Sequence, residues 1–320
     1  MLYITPVVNE QNHIHIPVLV NEVSKFLRAA HGGIFFDGTV GLGGHSAAIL
    51  QANRDNFVFG ADKDSDALNI AGKKLENSSG RFRLFKSDFK NLAELPIEID
   101  KIDGFLFDLG VSSRQLDTPA RGFSYARPAP LDMRMDIKQT LTAAEVLDTY
   151  SYRELVDIFV KYGEIKNPAK LVEQIIYHRK IKKIEQTDEL KTIARKIFPK
   201  QKTMDPLARI FQALRIEVNS ELTGLEDFFT GLFPRMKQGS RIVIISFHSL
   251  EDRIVKNALK KGSAGGLLNI LLKKPVTAQQ DEQEMNARAR SAKLRAAARS
   301  AGLPGNLDLN TSMDAVAFNG

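Results

Sequence analysis

Acidic residues recur in this chain directly after short apolar runs. Ile34-Phe35-Phe36 leads to Asp37, Phe57-Val58-Phe59 leads to Asp62, and the run from Ile102 to Phe107 ends at Asp108, with Asp88 and His248 in comparable positions. If these runs are parallel strands, ligands bind outside their carboxyl ends, and all five groups meet at one edge. One acid in such a place is commonly a cap or turn residue; several together point to a polar ligand. The first run continues into Asp37-Gly38-Thr39-Val40-Gly41-Leu42-Gly43-Gly44-His45. Glycines at a strand-to-helix turn let a ligand approach the backbone and leave helix N-terminal N–H groups available. Asp62 then stands where a carboxylate can accept hydrogen bonds from both ribose hydroxyls of a nucleotide or of S-adenosylmethionine. Gly41 and Gly43 fit the dinucleotide fingerprint, but Ser46 occupies its third glycine position, which disfavours NAD. A tight turn whose glycines serve only packing is the plainer alternative.

Other stretches carry further chemistry. Phe89 follows Asp88 and could lie against an adenine face or simply fill the core. Asp108-Leu109-Gly110-Val111-Ser112-Ser113 occupies the position at which amino-methylating enzymes on such a sheet carry an Asp/Asn-Pro-Pro-aromatic motif. The segment from Arg121 to Asp136 is rich in aromatics, arginines and prolines without helical or strand periodicity, as suits a base-stacking, phosphate-binding loop or a linker packed on the sheet. Arg253 to Lys274 and Arg288 to Arg299 contain no acid, a footprint for RNA or for solvated helix faces.

The elements that must position these residues read as a doubly wound α/β sheet interrupted by helices. Apolar runs alternate with helical stripes, one through Ala47 to Leu50 and one of Ala67, Leu68, Ala71 and Leu75 capped by Asp64 or Ser65. From about Thr142 the pattern is helical throughout. Thr142 with Glu145 and Ser151 with Glu154 have capping-box spacing, and Asn167-Pro168 reads as a cap followed by a first-turn proline. Arg241 to Ser246 is another buried strand, and Leu267 to Leu272 with Ala292 to Ala296 are candidates for an antiparallel pair that closes the sheet. The division expected is a sheet domain over 1–118 and 205–302, a helical insertion over 119–204 and a disordered tail over 303–320.

Composition sets outer bounds. The 320 residues suffice for one large core and a smaller module, and 45 Lys+Arg against 38 Asp+Glu give a charge of +7 that favours a polyanionic partner. With no cysteine, thiolate nucleophiles, disulfides and cysteine-ligated zinc are excluded. No signal peptide or membrane-length apolar run is present, so a cytoplasmic protein without membrane contact is expected.

Several strings, in order, resemble the MraW-type ribosomal RNA small-subunit methyltransferase H family: HIPVLVNEV from His15, DGTVGLGGHS from Asp37, DLGVSSRQLD from Asp108, RGFSYARPAPLDMRMD from Arg121, FQALRIEVNSEL from Phe211, ISFHSLEDRIVK from Ile245 and ARSAKLR from Ala289. Two departures stand out: YGEIKNPAKLVEQI lacks the usual arginine-rich form, and Leu207-Ala208 and Ile210 replace Ala-Thr and Thr. The resemblance implies a Rossmann-like class I S-adenosylmethionine methyltransferase fold with an inserted all-helical domain for substrate recognition. It implies S-adenosylmethionine as donor and, as acceptor, the N4 amine of a decoding-centre cytidine in 16S ribosomal RNA, within the small ribosomal subunit. A homodimer is allowed; DNA and metal are not expected. Cofactor contacts carried over fall on Gly43, Gly44, His45, Asp62, Phe89, Asp108 and Gln115, with Asp62 on the ribose and Phe89 on the adenine. Asp108 is the expected catalytic residue, beside the amine or the methionine moiety. Ser246, Phe247 and His248 would shape the opposite wall, His248 being otherwise a structural histidine, and Phe123, Tyr125, Asp132 and Arg134 would hold an extruded base.

Such a reaction needs positioning and electrostatics more than a strong nucleophile. Three rivals share parts of the pattern. An NAD-dependent oxidoreductase shares the glycine turn, a non-enzymatic RNA-binding module shares the charge, and a DNA amino-methyltransferase shares the chemistry but would carry Pro-Pro-aromatic after Asp108.

Overall fold

The computed structural model describes residues 17–110, 118–199 and 205–301. Gln115, the start of the string at His15 and the expected tail lie outside the described residues. Gly33–Asp37 (β1), Asn56–Asp62 (β2), Phe82–Lys86 (β3), Gly104–Asp108 (β4) and Arg241–Ser246 (β5) are parallel strands. Leu268–Ile270 (β6) and Lys293–Arg299 (β7) pair antiparallel, and β7 runs antiparallel to β5. The described sheet has the order β3-β2-β1-β4-β5-β7-β6, so the expected doubly wound α/β, Rossmann-like architecture is present, closed by the expected antiparallel pair.

Strand periodicity distributes the core cleanly. Phe36, Phe105, Phe107, Ile242 and Ile244 bury on one face, against the helices Leu225–Leu232 and Ser249–Ala264. Phe35, Val58, Leu106, Val243 and Ile245 alternate onto the other, with Val20–Leu27 (α1), Gly44–Ala52 (α2) and Ser65–Leu75 (α3). Neighbouring side chains on a strand point to opposite faces, so these continuous apolar runs suit strands covered on both sides, as they are here. Phe89, Phe107, Phe228 and Phe229 pack mostly edge to face at 5.1–5.4 Å between ring centres, in the geometry aromatic quadrupoles favour.

The helical run forms a separate apolar cluster. Ala143–Thr149, Tyr152–Lys161, Ala169–Ile181 and Thr187–Ile197 contribute Leu155, Ile158, Phe159, Val172, Ile175, Leu190 and Ile193. The Ser151–Glu154 capping box is formed, and Thr142 accepts the Glu145 N–H. Pro168 is itself the cap of its helix, one residue earlier in the helical frame than the sequence suggests. The helix Pro206–Asn219 buries Leu207, Ile210, Phe211 and Leu214 in this same cluster.

Asn219 fastens the loop before the helical run to the end of this helix. Its Oδ1 accepts the Met135 N–H at 2.7 Å, and its Nδ2 donates to the carbonyls of Met133 and Arg215 at 2.8 and 2.9 Å. These bonds hold the 133–135 segment, where Met133 has a left-handed φ of 63°, against the end of the helix. Lys90 reaches across to the Ser220 and Thr223 carbonyls. Asn219→Ala leaves a buried N–H and carbonyl unpartnered and is expected to lower stability by about 1–3 kcal/mol, read as a lower urea midpoint at unchanged slope.

Candidate functional site

The β1–α2 turn is set by a buried carboxylate. Asp37, 1% exposed, accepts the Ser46 hydroxyl at 2.6 Å and the Thr39 N–H at 3.1 Å. Burial pushes its carboxyl above the ordinary range, while the Ser46 bond and nearby His45 oppose the rise. From the fixed turn, Thr39 Oγ1 accepts the Asp108 N–H at 2.6 Å, and the Gly41 N–H donates to Asp62 Oδ2 at 2.7 Å. Gly41 has a φ of 51°, which glycine adopts without the Cβ strain other residues meet there. One turn therefore aligns the ends of β1, β2 and β4.

These strand ends open into a cavity of about 330 Å³. Gly44, His45, Asp62, Phe89, Asp108, Phe247 and His248 all line it. Neither ring nitrogen of the buried His45 has a hydrogen-bond partner among the described residues, and its Nε2 lies 3.5 Å from Asp108 Oδ2. Asp108 Oδ1 is likewise without a partner among them. Buried polar atoms are costly unless hydrogen-bonded, so this arrangement fits a polar ligand. Asp62 faces the same space. Burial pushes its carboxyl up to about 6, against the lowering effect of the Asp64 and Gly41 N–H bonds.

Other residues expected at the site lie elsewhere. Gly43 packs on Ala71, and Ser246 is buried in the sheet with its hydroxyl 3.4 Å from the Lys293 carbonyl. Phe123 lies in the helical core, and Tyr125 packs edge to face on Phe211. Asp132 and Arg134 form a two-pronged ion pair at 2.8 and 2.7 Å, with Arg134 also bonded to the Ile137 and Gln139 carbonyls. The structure does not bring these four to the cavity; Met135, from the same loop, does line it. Asp88 caps the turn after β3 and pairs with Lys63 at 2.8 Å.

The far wall comes from residues that no strand-end pattern marks. Gln212 and Arg215 from Pro206–Asn219, Glu221 just beyond it, and Glu251 from the first turn of Ser249–Ala264 line the cavity, with Lys63, Lys90 and Arg288 as cations. Arg215 donates to both Glu221 oxygens at 2.9 Å. His248 is the helix N-cap: its Nδ1 accepts the Glu251 N–H, which leaves the proton of a neutral ring on Nε2, 3.1 Å from Glu251 Oε1. Glu221, His248 and Glu251 have donor atoms within 4.8 Å of one another, but a cation there would compete with the Arg215 ion pair and the helix cap. These positions fall within the strings FQALRIEVNSEL and ISFHSLEDRIVK, which is the signal that could have marked them.

Residues 12–300 match the model of the MraW methylase family. The ribosomal RNA small subunit methyltransferase H of Carboxydothermus hydrogenoformans is 43% identical over 302 residues, covering 88% of this chain and 97% of that protein. The protein of that name from Sulfurihydrogenibium azorense is 43% identical over 290 residues, covering 89% and 99%. Among solved structures, an rRNA methylase from Streptococcus thermophilus is similar at a TM-score of 0.40 and 12% identity, covering 89% of this chain and 99% of that one.

The Asp62 shift has a definite sign. A carboxyl raised from 3.8 to about 6 holds its proton more tightly in the folded chain, so the associated stability is complete below the unfolded value and lost as pH rises through about 6. Asp62→Asn cannot ionise. It is expected to melt above the wild type near pH 8, with the difference closing as pH falls towards 4; a constant difference across that range would contradict the assignment.

Proposed function

The chain belongs to the MraW methylase family, and we propose that it transfers a methyl group from S-adenosylmethionine to the exocyclic N4 amine of a cytidine in the decoding centre of 16S ribosomal RNA. Its fold is the Rossmann-like class I S-adenosylmethionine methyltransferase fold carrying a helical module. The observation that carries the reading is the row of carboxylates along one sheet edge, Asp62 on β2, Asp37 on β1 and Asp108 on β4, with the outer two open to one cavity.

Neighbouring strands lie ~4.8 Å apart, so Asp62 and Asp108, separated by β1, stand roughly 10 Å apart. That span suits a cofactor with a ribose at one end and its reacting centre at the other. Asp62 would accept the ribose hydroxyls, the Phe89 ring would border the adenine, and His45 and Asp108 would hold the methionine end. Bound there, S-adenosylmethionine supplies an electrophilic methyl group on a sulfonium. The cytosine N4 lone pair is delocalised into the ring, so the chain must align the amine and accept its N–H. Asp108, at the end of β4 beside His45, is the group we assign to the reacting end. The cations Lys63, Lys90 and Arg288 around the cavity suit a phosphate-bearing substrate. A base in an rRNA loop is recognised by shape as well as by its edge, which makes the small ribosomal subunit the natural substrate form.

The purified chain, incubated with methyl-labelled S-adenosylmethionine and small subunits lacking the modification, is expected to place label on one cytidine N4, located by nuclease digestion and mass spectrometry. No label on subunits, naked rRNA or DNA, despite measurable cofactor binding, would favour a binding module. Asp108→Ala is expected to lose turnover; normal turnover at normal cofactor affinity would remove Asp108 from the reacting end.

A further inference from the structure

We propose that Glu251 is the group that accepts the amine's N–H and receives its proton, with His248 as its positioning residue, an assignment that rests on the methyl-transfer reading above. Glu251 stands one strand beyond Asp108 along the sheet edge, in the first turn of the helix that follows β5. It is 2% exposed and lines the same cavity as Asp62, Asp108 and Phe247.

Its two oxygens are used differently. Oε2 accepts the N–H groups of Phe247 and His248 at 2.8 and 3.3 Å, which fixes the carboxylate on the backbone. Oε1 faces His248 Nε2 at 3.1 Å and points toward Gly110, two residues past Asp108. A Cβ on Gly110 would stand 3.9 Å from that oxygen and 3.4 Å from the Phe247 ring. With a φ of 97°, Gly110 is held in a conformation that glycine adopts without strain, and its missing side chain leaves a slot between the β4 end and the Phe247–Glu251 wall. A flat base entering there meets an aromatic ring and a fixed carboxylate oxygen. Asp108, by contrast, leans toward His45 on the β1 side. The two carboxylates thus divide the edge, one toward the cofactor half and one toward the helical module.

Burial alone would push the Glu251 carboxyl up, but the His248 imidazole, the Arg215 guanidinium and the Phe247 N–H hold it below the usual carboxylate range. It is therefore ionised at neutral pH. A weak base suffices, because the methylated amine is a strong acid until it loses its proton. In the step, the N4 lone pair forms the N–C bond, the C–S pair goes to sulfur to give a neutral thioether, and the N4 proton passes to Glu251 Oε1 and then to water.

Glu251→Gln keeps the volume and an oxygen for the Phe247 and His248 N–H groups. With full-length protein and unmodified small subunits, kcat is expected to fall about 10²–10⁴-fold, while S-adenosylmethionine affinity by calorimetry stays within about threefold of wild type. A kcat within about threefold of wild type overturns the proposal. If Glu251→Gln also loses cofactor binding, Glu251→Asp decides, since it keeps the charge but withdraws the oxygen by a methylene. A tenfold or greater loss of kcat at unchanged cofactor affinity supports the proposal, and wild-type kcat overturns it. For His248, Asn retains the cap; His248→Asn is expected to lower kcat without changing the subunit KM, whereas a KM effect alone would make it a binding residue. Wild-type protein that fails to methylate subunits at all refutes the methyl-transfer reading instead, so the two failures are distinguishable.

Discussion

The buried Asp37 carboxyl is the constraint from which the site is built. It closes the turn after β1 by taking the Ser46 hydroxyl and the Thr39 N–H, and the turn so fixed delivers Thr39 Oγ1 to the Asp108 N–H and the Gly41 N–H to Asp62. Three strands that run in register through the core thereby end in register at the cavity. A carboxylate held away from water at a sheet edge is costly unless paired, and here the pairing is what shapes the ligand-facing backbone.

The second requirement is a wall opposite that edge. It comes from the junction of the helical cluster with the sheet, where Asn219 clamps the 133–135 segment and Arg215, Glu221 and Glu251 bring charge into a largely buried place. Each of these charges has a partner at hydrogen-bond distance, as buried ionic groups require. The helical cluster thus does more than extend the surface, because Pro206–Asn219, which packs in it although it follows the expected 119–204 insertion, supplies Gln212 and Arg215 to the same cavity.

The central strands were legible because a parallel sheet buried on both faces leaves a plain mark, as in Ile34-Phe35-Phe36 before Asp37, whereas the edge strand Phe82–Lys86 mixes apolar and basic residues and leaves none. Asp62 and Asp108 were legible for the same reason, because they follow those runs, whereas Gly44, His45 and Phe89 were marked as cofactor contacts by the family resemblance. Arg215 and Glu251 were not, because on a helix a charged residue at the site has the same local pattern as one in solvent, and only the packing of separate segments distinguishes them. His248 read equally as wall or structural group, and its geometry combines the two, a helix cap whose free ring edge faces Glu251. The loop from Arg121 to Asp136 illustrates the converse. Its aromatics and ion pair suggest base contacts, yet Phe123 and the Asp132–Arg134 pair are occupied in holding the loop itself.

The central claim is that one cavity along the carboxyl edge of the sheet holds the methyl donor. A crystal structure of the chain with S-adenosylhomocysteine tests it most directly. The account predicts ribose hydroxyls within hydrogen-bond distance of Asp62 and the sulfur facing the Asp108–Gly110 segment. Ligand bound outside this cavity, or within it but without contact to Asp62, would contradict the account.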